Sequence, residues 1–184
     1  MKMKILMLAL ILLIPASAFA HPESGFLPDA IAEMEYKIVL DINPQDIETR
    51  NKLGIVLYRK EKLHEAEKEF SKVLASSPGD FDAHDGMGLV KNKQKKYEEA
   101  ISWFKKAIAI SDEDTMVYYH LGLTYELMGN LVDAEKSYKK ALEVNNLLIQ
   151  KGINTELEAE KKNRVVSALH NVQKKMGSAA EREQ

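Results

Sequence analysis

Cysteine is absent from the 184-residue chain. No disulfide can staple the fold, and the cysteine that a lipid-anchored bacterial lipoprotein needs is missing. An apolar run of membrane-spanning length is missing too. Ile5–Ile14 has ten apolar residues and is too short to cross a bilayer comfortably. Positive charge is not in excess. Once Lys2 and Lys4 are removed from the 26 Lys+Arg, 24 remain against 28 Asp+Glu, a formal charge of −4. That balance argues against a nucleic-acid binder.

The motifs of catalysis and metal binding stop short of completion. His64-Glu65 opens like a zinc-protease motif, but Lys68 stands where the second histidine belongs. Asp80–Gly86 hints at a calcium loop, yet its glycine comes one residue late and Lys91 fills the closing glutamate position. Gly86-Met87-Gly88 lacks the third glycine and the strand of a dinucleotide site. No cofactor is implied, and the expectation is a protein that is not an enzyme. His21 would start a processed chain, where its amine and imidazole could chelate Cu²⁺. The plainer reading is a tail that begins with histidine, and no metal site is assigned.

The first twenty residues read as a targeting segment. Lys2 and Lys4 precede the short apolar run, Pro15 ends it, and Ala18-Phe19-Ala20 has the small-residue spacing of a signal-peptidase site. The expectation is a periplasmic or secreted protein with a mature start at His21 and no stable membrane insertion after cleavage. About 160 residues then remain, ample for one domain.

From Ile47 to Leu148 one 34-residue unit is written three times: 47–80, 81–114 and 115–148. Leu53-Gly54, Met87-Gly88 and Leu121-Gly122 coincide, as do Ala66, Ala100 and Ala134, then Phe70, Phe104 and Tyr138, then Val73, Ala107 and Ala141. Each unit splits into two apolar-periodic segments of helix length around a polar turn, such as Lys60-Glu61-Lys62 or Met128-Gly129-Asn130. Glycine inside a helix costs ~1 kcal/mol relative to alanine. Three at one register imply close contact, expected here between the first helix and the small Ala66, Ala100 and Ala134 of the second. A fixed period of this size means stacked supersecondary units.

This pattern resembles the tetratricopeptide repeat. The resemblance implies an all-α helix–turn–helix superhelix, a solenoid that binds other proteins. Departures are Arg50 and His84 where an early aromatic is usual (Tyr118 conforms), and Asp112 and Asn146 where Pro78 has its counterparts.

Flanking segments complete the plan. After a loose tail from His21, Pro28–Asp41 reads as a helix whose Ala32, Tyr36, Val39 and Pro44 precede Ala66, Phe70, Val73 and Pro78 by 34 residues. It is expected to be a half-repeat, so that 21–46 cover the end of the first unit. After Leu148 the register breaks. Ile149–Asn154 reads as a linker, Thr155–Glu158 as a capping box, and Val165, Leu169, Val172 and Met176 as the apolar stripe of a last helix that caps the array. Gly177–Gln184 is expected to be disordered.

The resemblance places a partner-binding groove on the exposed side of each first helix. Carried over, it comprises Asn51, Ile55 and Tyr58, then Asp85, Leu89 and Asn92, then Tyr119, Leu123 and Glu126. Ile55, Leu89 and Leu123 form an aliphatic row. The Lys and Asn set with which some relatives clamp a C-terminal carboxylate is not present, and Asp85 would repel one. The expected ligand is therefore an apolar or amphipathic segment of an envelope protein, or else the row is covered by the last helix or the N-terminal tail. The alternative is a structural subunit, self-associating or permanently assembled, and the sequence leaves a homo-oligomer open. Two further features have paired readings. Lys91–Lys96 is a solvated turn or an attractor for anionic lipid or an acidic partner. Trp103 packs against the third unit or anchors a partner.

Overall fold

Eight α-helices follow one another in the computed structural model, which describes residues 28–182; no strand occurs among them. They are α1 (Asp29–Ile42), α2 (Ile47–Arg59), α3 (Leu63–Ser76), α4 (Phe81–Lys93), α5 (Tyr97–Ile110), α6 (Thr115–Leu127), α7 (Leu131–Gln150) and α8 (Thr155–Arg182). Each helix packs on the next, and α4 also touches both α2 and α6, so these three form an inner layer. The expected targeting segment, the His21 start and most of the tail lie outside the described residues. No described helix is long and apolar enough to cross a membrane.

The three inner helices start alike. Asp46, Asp80 and Asp114, 34 residues apart, cap α2, α4 and α6; their carboxylates accept from Thr49 N at 3.0 Å, Ala83 N at 2.8 Å and Val117 N at 2.9 Å. Such a cap contributes about 1 kcal/mol by satisfying an orphan helix donor. The turns inside the units also repeat. Glu61, Lys95 and Gly129 share one register and all have left-handed backbone, with φ of 59°, 61° and 77°. Only the third unit supplies the glycine which that conformation favours.

The glycines expected against alanine meet a different neighbour. A β-carbon on Gly54 would fall 2.6 Å from Phe70, one on Gly88 2.4 Å from Phe104, and one on Gly122 2.7 Å from Tyr138. Each glycine thus makes room for the aromatic ring of its own unit, while Ala66, Ala100 and Ala134 are buried alongside. The rings are completely enclosed. Phe70 also abuts Gly86 of the next unit, so one ring tip is wedged between α2 and α4.

Both ends are covered. At the first, α1 packs on α2 with Ala32 and Leu40 buried. Pro28 sits at its N-cap rather than inside the first turn. At the other end, α8 lies along α7 and reaches α6, with Val165 and Val172 fully buried and Leu169 and Met176 packed beside them. Three details differ from the sequence reading. The helix α7 continues through Ile149 and Gln150, leaving only Lys151–Asn154 as the turn. The helix α8 passes through Gly177 to Arg182 instead of stopping near Met176. Glu158 does not turn back on its own helix as a capping-box residue; it faces inward to α6 and α7. It accepts from Thr115 Oγ1 at 2.7 Å and Asn145 Nδ2 at 2.8 Å, and pairs with Lys161 at 2.7 Å. Burial alone would raise its pKa, but the Lys161 charge and the hydrogen bonds outweigh that and hold it below the usual carboxylate value.

Candidate partner-binding groove

The face formed by α2, α4 and α6 is a track of side chains spaced three or four residues apart, since those positions share one side of a helix. Its first part is a concavity of about 460 Å³ lined by Tyr36 of α1, Asn51, Ile55 and Arg59 of α2, and Asp82 and Asp85 of α4. The sequence-derived set is therefore brought together here in part. Asn51, Ile55 and Asp85 line one hollow. Tyr36, Glu48, Lys52, Val56, Arg59 and Asp82 also line it and are not among the groove positions expected from sequence. Glu48 and Asp82 sit one helical turn before Asn51 and Asp85, so extending the helix face by a turn would have found them.

The other members are placed by their bonds. Asn51 is buried; its Nδ2 donates to Asp80 at 2.9 Å. Asp85 meets His120 Nδ1 at 3.1 Å, and Asn92 donates to Thr124 at 2.5 Å, so α4 is tied to α6 twice. Glu126 accepts from the Tyr138 hydroxyl at 2.9 Å and pairs with Lys175 of α8 at 2.6 Å. Burial, reinforced by that carboxylate, pushes the Tyr138 phenol well above its ordinary pKa. The polar members thus lock successive inner helices together. Tyr58 and Tyr119 are half-buried, Tyr58 packed on the core around Phe70 and Tyr119 on the core around Phe104 and Tyr138, with Tyr119 edge-on to His120. Ile55, Leu89 and Leu123 are also half-buried, one per inner helix. Lys175 brings α8 over the third unit's end of the track at Glu126.

Charge is uneven along this face. Lys52 is paired with Glu48 at 2.6 Å, and Arg59 with Asp29. Among the described residues no lysine or arginine forms a salt bridge with Asp80, Asp82, Asp85 or Asp114. Lost solvation pushes the Asp82 pKa up, and the negative charges of Asp80, Asp85 and Asp114 add to the shift.

Two sequence features resolve differently from the reading given them. Trp103 does not pack against the third unit. It packs on the core around Phe70 and Val90 and lies tilted against His84 of its own unit, ring centres 5.4 Å apart, with Lys106 Nζ 4.0 Å from its ring centre. Nor is Lys91–Lys96 simply a solvated turn. Lys91 is buried and pairs with Glu67 at 2.8 Å and Glu99 at 3.3 Å, and Lys93 pairs with Glu61 at 2.9 Å. Among the described residues no group of three His, Asp or Glu side chains is placed to hold a metal ion.

Residues 80–146 match the family model of the tetratricopeptide repeat. No curated protein matches the chain in sequence. Among solved structures, MamA is similar with a TM-score of 0.57 and 24% identity, covering 83% of this chain and 91% of that one. SycD, a type III secretion chaperone of Yersinia enterocolitica solved with a peptide of the translocator YopD, has a TM-score of 0.62 at 20% identity, covering 74% of this chain and 98% of that one. PcrH of Pseudomonas aeruginosa, solved with the chaperone-binding region of PopD, has a TM-score of 0.63 at 17% identity, covering 73% and 96%. At these identities the likeness is one of fold.

Proposed function

Because the chain is a tetratricopeptide-repeat protein, we propose that it is a non-catalytic scaffold of the bacterial cell envelope whose inner face holds an apolar or amphipathic segment of another protein. One observation carries the reading. Ile55, Leu89 and Leu123 stand half-buried at one register of three adjoining inner helices, leaving an apolar row in the face of a rigid array. Covering such surface is favourable by about 25 cal/mol per Å², and the array pays no folding entropy to present it. Two proteins of the same fold were solved with a segment of a partner bound, which supports the assignment.

The test is a crosslinked pull-down from periplasm with the wild type and with Leu89→Asp/Leu123→Asp. The variant should lose its partner and keep its helical signal and melting temperature. Capture unchanged by the variant would move the partner off this face, and unfolding would make the row part of the core. The envelope assignment rests on the Met1–Ala20 pattern. Mass spectrometry of periplasmic material should show a chain starting at His21; only full-length, membrane-bound protein would overturn it.

A specific feature favours the second reading, a self-associating structural subunit. Leu127, Met128 and Val132 are 51%, 40% and 67% exposed at the turn of the third unit. The same slots hold Arg59, Lys60 and His64 in the first unit, and Lys93, Gln94 and Glu98 in the second. Light scattering at micromolar concentration separates the two readings: a monomer supports the scaffold, a stable oligomer the subunit.

A further inference from the structure

We propose that the first half of the inner face, from Tyr36 to Asp85, takes a cationic stretch of the partner segment, with lysine or arginine side chains set against Asp82 and Asp85. The inference rests on the groove reading above and adds the chemistry of what enters it.

Three observations converge on one hollow. The first is charge that the fold does not neutralise. Asp80, Asp82, Asp85 and Asp114 gather around the starts of α4 and α6, and among the described residues the one basic side chain bonded to any of them is His120, on Asp85. The cations that line the same hollow are already engaged, Lys52 by Glu48 and Arg59 by Asp29. Elsewhere the array pairs its acids closely: Glu33 with three lysines, Glu67 with Lys91, and Glu69 with Arg50 and Lys72.

The second observation is an acceptor without a donor. Asn51 is 6% exposed and lines the hollow, yet its Oδ1 has no hydrogen-bond partner. The amide cannot gain by flipping, because its other end faces the Asp80 carboxylate and must present the NH₂ group there. A buried acceptor left without a donor is unfavourable, and an arriving N–H donor would relieve it.

The third is apolar surface beside the charge. Tyr36, Ile55 and Val56 line the same hollow. Lysine and arginine carry long aliphatic stems that lie along apolar surface while the charged head reaches a carboxylate. Carboxylates, an orphan acceptor and an apolar floor together fit such a side chain. An acidic or neutral apolar residue would leave the aspartates uncompensated.

The test is fluorescence anisotropy on the full chain with a short labelled peptide of leucine and lysine, beside counterparts in which glutamine or glutamate replaces lysine. The lysine peptide should bind roughly tenfold tighter than the glutamine one and the glutamate one should bind least, as expected for close charge pairs. Asp82→Asn/Asp85→Asn should remove that preference with the melt preserved. Glu156→Gln/Glu160→Gln, on the exposed side of α8, should leave it unchanged. If lysine and glutamine peptides bind alike and Leu89→Asp/Leu123→Asp abolishes both, the groove stands and the cationic inference falls. An equal loss in the α8 variant would reduce the effect to net charge and overturn it, as would binding of none of the peptides.

Discussion

The ring of Phe70 stands so close to Gly86 that a β-carbon there would fall 2.4 Å from its Cζ. The two residues belong to different units, so this contact measures how units stack. Gly86→Ala gains about 1 kcal/mol of helix propensity but forces a shift on a ring whose tip is also closed in by Gly54. Overpacking of that kind costs ~1–3 kcal/mol, so net destabilisation of about 1 kcal/mol is expected in urea melts. In a Phe70→Leu background the same alanine should cost little, because the ring edge it would strike is gone. Equal costs in both backgrounds would mean that the glycine is not there for the ring.

A second pair explains why the early aromatic of the repeat is missing from the first two units. Arg50 donates to Glu69 at 2.6 Å, and His84 packs tilted against Trp103; the second pair lies 34 residues after the first. The third unit has Tyr118 and Ser137 at these positions, both buried. One slot is thus filled by an ion pair, a tilted ring contact and a tyrosine over a small residue. Placing the third unit's pair in the first, Arg50→Tyr/Glu69→Ser, should be tolerated. Arg50→Tyr alone should not, because Glu69, largely enclosed, loses a partner. A double-mutant cycle should show a coupling of about 1 kcal/mol; additivity would mean that the slots are independent.

That comparison also marks what could be read from the residues alone. The period placed the inner and outer helices, the enclosed rings and the docking stripe of α8, because each depends on local pattern. The track itself was harder to read. Asn51 reaches Asp80 at the cap of α4, while Asp85 reaches His120 and Asn92 reaches Thr124 in the next unit, so groups expected to face a ligand also tie helices together. Trp103 escapes for another reason: its partner His84 occupies a slot that looks merely degenerate in sequence. Glu158 was read as a local cap because a capping box and an inward-facing glutamate share one spacing.

Glu33 binds Lys37, Lys60 and Lys62 at 2.5, 2.6 and 2.9 Å, joining α1 to the turn of the first unit. The three lysines lower its pKa from 4.5 to about 2. A depressed carboxylate pKa means that the stabilisation is present at neutral pH and is lost as pH falls from about 4.5 towards 2. Glu33→Gln should therefore lower the urea midpoint at pH 7, and the gap to wild type should close through that acid window. Parallel curves would show that the lysines are solvated rather than bound.

The last helix is held by two devices, and one substitution separates them. Val165 and Val172 bury the apolar stripe, while Glu158 latches the first turn of α8 to Thr115 and Asn145. Glu158→Ala leaves the Thr115 hydroxyl and one Asn145 bond without their acceptor in a buried place, a loss of about 1–3 kcal/mol. Asn145 keeps its bond to the Glu158 carbonyl, so the helix should loosen rather than detach. Amide hydrogen exchange should accelerate over the first turns of α8 and stay unchanged in α2–α5, where no contact is touched. Glu158→Gln keeps an acceptor for Thr115 but loses the Lys161 pair, so its effect should fall between wild type and alanine. If the alanine variant leaves the start of α8 as protected as before, the apolar stripe alone seals the array.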